Sequence, residues 1–107
     1  MTTSIKLCPV SDLKLGFPVR VEPAGLPPVA VYAIEGTFYV TADTCTHGQA
    51  SLCDGYQNDD TIECPYHGGV FNIKTGEPLT FPCTVALAIY PAREEAGYVW
   101  IEAGAAT

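Results

Sequence analysis

Two short runs, Cys45-Thr46-His47-Gly48 and Cys64-Pro65-Tyr66-His67-Gly68, each place one thiol beside one imidazole. The chain of 107 residues has only two histidines, and both lie in these runs. Residues 48–63 separate His47 from Cys64. The donor set is two Cys and two His, ordered Cys-x-His and then Cys-x-x-His. That set suits a [2Fe–2S] centre with one iron on two thiolates and the other on two imidazoles. In such a centre Cys45 and Cys64 share one iron, and His47 and His67 share the other. The alternative is a structural zinc ion on the same four donors. Zinc fingers, however, usually use matched Cys-x2–4-Cys and His-x3–5-His pairs, not these mixed ones. Gly48, Gly55, Gly68 and Gly69 would let backbone N–H donors approach inorganic sulfides.

Some element must hold the two runs together, and the sequence points to short strands. Ile5–Cys8 reads as a strand ended by Pro9, and Pro18–Glu22 alternates before the loop Pro23–Pro28. Val29–Ile34 is continuously apolar, as a buried strand would be. Glu35-Gly36 turns the chain into Thr37–Thr41, a two-residue hairpin. From Ala42 to Asp59 the pattern is lost. Thr61–Glu63, Val70–Ile73, Thr84–Tyr90 and Tyr98–Glu102 read as further strands, with a turn over Glu94–Gly97. No segment keeps a 3.6-residue apolar period over ten or more residues. The expectation is an all-β fold, residues 1–107 forming one domain, with a loop-built metal site inserted at about residues 42–83.

Composition narrows the function. A net charge of −7 and a pI near 4.4 argue against nucleic acid, whose phosphates need Lys and Arg, and against an anionic membrane surface. No apolar run approaches the roughly 18–20 residues that span a bilayer. The N-terminal residues lack a basic segment followed by an apolar one, so a cytoplasmic protein is expected. There thiols stay reduced. The odd count of five Cys excludes a fully paired disulfide framework.

The stretches Cys45-Thr-His-Gly, Ser51-Leu-Cys-Asp-Gly-Tyr56 and Glu63-Cys-Pro-Tyr-His-Gly-Gly69 resemble the Rieske ferredoxins of bacterial aromatic-ring-hydroxylating dioxygenase systems. The resemblance runs over nearly the whole chain, and Phe81-Pro82-Cys83-Thr84 resembles that family's proline loop over the cluster. It implies an antiparallel β-sandwich-like base with a small cluster-binding subdomain. It also implies an electron carrier, not an enzyme. Single electrons would pass from a flavin-containing NAD(P)H-dependent ferredoxin reductase to a terminal oxygenase. A carrier that docks two partners in turn is expected to be a monomer.

The chain departs from the Rieske proteins of respiratory complexes. Ala50 and Tyr66 stand where those carry an extra disulfide, and Gly69 and Phe71 where they carry Ser and Tyr hydroxyls. Hydrogen bonds to sulfur stabilise the reduced, more negative cluster and raise its potential. Without them the expected potential lies on the order of −150 mV rather than about +300 mV. Cys8, Cys53 and Cys83 are left over, Cys8 as a small buried hydrophobe. The acidic residues, Asp43 and Asp54 among them, are expected on a solvated surface that steers basic partners. Gln49, Ala50, Tyr66 and Pro82 are expected to rim the docking face.

Overall fold

The computed structural model describes residues 3–46, 50–65, 68–81 and 84–103. Its strands are β1 (Thr3–Pro9), β2 (Val19–Val21), β3 (Val29–Ile34), β4 (Thr37–Ala42), β5 (Tyr56–Asn58), β6 (Thr61–Glu63), β7 (Val70–Asn72), β8 (Ile89–Tyr90), β9 (Ala92–Glu95) and β10 (Tyr98–Ala103). Helical structure among the described residues is limited to two 3-10 turns, Val10–Asp12 and Leu52–Asp54. No described helix is long and apolar enough to cross a membrane. The strands form three antiparallel sheets, ordered β1-β10-β9, β2-β3-β4-β8 and β5-β6-β7. The fold is all-β, as the strand and turn pattern leads one to expect.

The hairpin β3–β4 turns at Glu35 and Gly36, with φ of 49° and 80°. Positive φ at both central residues gives a turn whose twist matches the flanking strands. Ala96 and Gly97, at 55° and 83°, do the same between β9 and β10. The expected turn over Glu94–Gly97 is therefore shorter than its composition suggests. Glu94 and Glu95 continue the strand, opposite Val99 and Tyr98. Their charges lie on an edge strand, where charge discourages pairing with another chain.

β3 explains its own sequence. Ala30, Tyr32 and Ile34 enter one core, with Leu52, Ile62, Phe71, Ile73 and Leu87. Val29 and Val31 enter another, with Cys8, Val40, Tyr90, Val99 and Ile101. A strand buried on both faces has no polar face to show, so it reads as a continuous apolar run. The second core joins the two larger sheets. The first lies between β3 and the small sheet, whose β6–β7 connection carries the second of the two runs.

The expected strand Thr84–Tyr90 shrinks to Ile89–Tyr90. Residues 84–88 spend their backbone groups on three different segments instead. The Val85 carbonyl accepts from Thr46 Oγ1, the Leu87 amide donates to the Gly76 carbonyl, and the Ala88 carbonyl accepts from the Ala42 amide. The result is a strap across the small sheet rather than a ladder.

Candidate metal centre

Each cysteine of the two runs opens a loop of the same construction. Thr44 pairs with Ser51, and between them the Cys45 amide donates to the Ala50 carbonyl at 2.9 Å. Glu63 pairs with Val70, and between them the Cys64 amide donates to the Gly69 carbonyl at 2.8 Å. Both are hairpin loops closed by an amide bonded to the carbonyl five residues on. Cys45 is 2% and Cys64 3% exposed, and both belong to the core that contains Phe71 and Leu52.

The chain between the loops fixes their spacing. The 3-10 turn Leu52–Asp54 leads to Gly55, then β5 pairs with β6 and delivers the second loop. A β-carbon on Gly55 would overlap the Glu63 carbonyl oxygen and crowd Pro65 Cδ. Only glycine allows this approach, so Gly55 sets the distance between the two hairpins. Residues on either side of 82–83 also bond to these loops. The Leu79 amide donates to the Val70 carbonyl at 2.7 Å, and the Val70 amide to Thr80 Oγ1 at 2.9 Å. Thr46 Oγ1, on the residue between Cys45 and His47, donates to the Val85 carbonyl at 2.6 Å.

His47, Gly48, Gln49, Tyr66, His67, Pro82 and Cys83 lie outside the described residues. Cys45 and Cys64 are brought into one buried core. Ala50 does not rim a docking face: it is buried in that same core, at the residue whose carbonyl closes the loop. Asp43 is not a solvated surface acid. It is 1% exposed and takes Arg20 Nε at 3.1 Å, Ser51 Oγ at 2.6 Å and the Cys53 amide at 3.1 Å. A buried carboxylate needs such partners to be stable. Nothing in the local pattern announced it, since three of its partners come from other parts of the chain.

The leftover thiols Cys8 and Cys53 are free. Burial pushes the Cys53 thiol well up, and its hydrogen bond and charge contact with Asp43 push the same way. Burial also raises Cys8, helped by Asp12. A metal ligand must be a thiolate. Neither thiol sits in the two matched loops, which leaves Cys45 and Cys64 as the candidate sulfur donors among the described residues.

This arrangement fits a [2Fe–2S] group. Two soft thiol donors start matched loops in one dry core, and each loop carries one histidine two or three residues further on. The buried sulfurs and the apolar surroundings exclude water.

Comparison with known proteins agrees over most of the chain. The model of the Rieske [2Fe-2S] domain matches residues 3–91. Ferredoxin CarAc of Metapseudomonas resinovorans is 46% identical over 97 residues, 91% of each chain. The Sphingomonas yanoikuyae B1 ferredoxin superposes with a TM-score of 0.91 at 45% identity, over 94% of this chain and 98% of that one. A chain in the complex of reduced oxygenase and oxidized ferredoxin in carbazole 1,9a-dioxygenase gives a TM-score of 0.86 at 46% identity, over 92% and 91%. A zinc staple has no support among these relatives. From matched loops, shared core and full-length similarity together, the chain belongs to the Rieske [2Fe-2S] family and its cofactor is a [2Fe–2S] cluster of that type.

Proposed function

We infer that this protein is the electron-carrying ferredoxin of an aromatic-ring-hydroxylating dioxygenase system, and that it transforms no substrate itself. The observation that carries this reading is the pair of matched loops in a chain that is similar from end to end to dioxygenase ferredoxins. Cys45, Cys64, His47 and His67 are the proposed ligands, the thiolates on one iron and the imidazoles on the other. When bound, the cluster takes up and gives back one electron. Around it, the Cys45 and Cys64 hairpins fix the donors and the strap shields them. The whole chain works as one domain, with a cluster-binding subdomain over about residues 42–83. The reductase that loads the carrier is an NAD(P)H-dependent flavoprotein, and the terminal oxygenase unloads it. A monomer in the cytoplasm suits a carrier with two successive partners and reduced thiols.

An EPR-monitored redox titration tests this. A Rieske-type signal on reduction, with a midpoint at the low end of the range, is the expected result. A clearly positive midpoint would remove the oxygenase-donor role.

The strap supplies the docking surface. Phe81 is 87% exposed, Val85 60% and Leu79 45%, and Val85 is bonded through its carbonyl to Thr46 of the Cys45 loop. Large apolar side chains in this position are anchors for a partner, and truncating an interface aromatic commonly costs more than 1 kcal/mol. Phe81→Ser should weaken docking to the oxygenase by about tenfold, about 1.4 kcal/mol, while spectrum and midpoint stay unchanged. Equal transfer kinetics in the variant would place docking elsewhere.

Asp54, Asp59 and Glu77 remain exposed acids. Steering by such charges makes association fall with rising salt. The second-order rate of oxygenase reduction should therefore drop as ionic strength rises. A flat salt profile would leave these charges only a role in solubility.

A further inference from the structure

We propose that Asp43 and Arg20 form a positioning pair that braces the Cys45 loop and, by its charge, tunes the reduction potential of the group held there. Asp43 stands two residues before Cys45, on one arm of its hairpin. Its carboxylate ties that arm to the other, accepting from Ser51 Oγ at 2.6 Å and from the Cys53 amide at 3.1 Å. Its carbonyl also accepts from the Leu52 amide at 2.8 Å. Among the described residues it is the only buried acidic side chain.

The two charges differ in their surroundings. The Asp43 side chain is 2% exposed, whereas that of Arg20 is 44% exposed and also contacts Glu22 Oε1 at 3.1 Å. Water and Glu22 screen the guanidinium, but little screens the carboxylate. Reduction adds negative charge to a neighbouring buried site. Asp43 opposes that addition, and Arg20 offsets only part of the opposition. Groups outside the ligand set are known to tune metal sites in this way.

The test is the midpoint potential of four full-length variants that keep the visible spectrum. Asp43→Asn should raise the midpoint. Arg20→Gln should lower it, because it uncovers the carboxylate. Arg20→Lys should return it toward the wild-type value, and Glu94→Gln, an exposed change on β9, should leave it in place. A purely structural brace would lose cluster content in the first two variants without shifts of opposite sign. Shifts of the same sign, or none, overturn the proposal. Should Asp43→Asn fail to hold the cluster, the Arg20→Gln and Arg20→Lys pair decides: a lowered and then restored midpoint supports it, and an unmoved one overturns it. The inference rests on Cys45 being a ligand. Wild-type protein without a Rieske-type signal would remove both, whereas a normal signal with unmoved midpoints would remove this inference alone.

Discussion

Serine in place of Cys45 or Cys64, or alanine in place of His47 or His67, is expected to abolish the visible chromophore and the EPR signal of the reduced protein. Iron content after purification should fall close to zero in each. The expected cost is total because each of the four donors fills one coordination position of the cluster. Cys8 lies in the core between the two large sheets, on the far side of β3 from Cys45 and Cys64. Cys53 is closer, packed against their core, but it sits in the 3-10 turn Leu52–Asp54, outside the two loops that carry them. Cys8→Ser and Cys53→Ser should therefore keep the spectrum. Iron analysis, absorption and EPR on the six variants check this together. A spectrum that survives Cys45→Ser, or disappears with Cys53→Ser, would show that the sulfur donors are misassigned.

How far the sequence carried this assignment depended on how local each signal was. The two candidate ligand runs stand out because four potential donors fall in two short stretches, of which the structure describes Cys45 and Cys64 in one core. β3, β6 and the Glu35-Gly36 turn were legible because apolar runs and turn residues mark their own ends. β5 and β9 were not, since Tyr56-Gln57-Asn58 and Ala92-Arg93-Glu94-Glu95 have no apolar alternation and are held by their neighbours. The strap was misread as a strand because Val85, Leu87 and Ile89 alternate, although only Ile89 meets a strand partner. Asp43 was misread for the reason that applies to all such groups. A carboxylate is solvated or buried according to partners that come from elsewhere, here Arg20 in β2 and Ser51 beyond the loop. Spacing along the chain does not encode that meeting. Ala50 followed the same logic in reverse, a small residue whose burial comes from the closing bond of the loop.

Phe71 gives the second large effect, and two substitutions there separate packing from redox tuning. Its ring is fully buried in the core that contains both cysteines, opposite Ile62 across the small sheet. Phe71→Ala removes the ring and leaves a cavity, which costs about 3–5 kcal/mol. A small domain has only about 5–15 kcal/mol in all, so the variant should lose its cluster and unfold at much lower urea. Phe71→Tyr keeps the ring and adds one hydroxyl. If that hydroxyl reaches a ligand sulfur, it stabilises the reduced state and the midpoint rises, as Gly69→Ser should also achieve. A hydroxyl that finds an acceptor costs little stability, whereas one buried without a partner costs about 1–3 kcal/mol. The two readouts must therefore move in opposition. A raised midpoint should come with near wild-type stability. A fall in stability with the midpoint unmoved would show that Phe71 faces packing alone, and that the low potential has another source. Urea unfolding followed by circular dichroism and by the visible band, beside a redox titration of each variant, measures both quantities on the same protein.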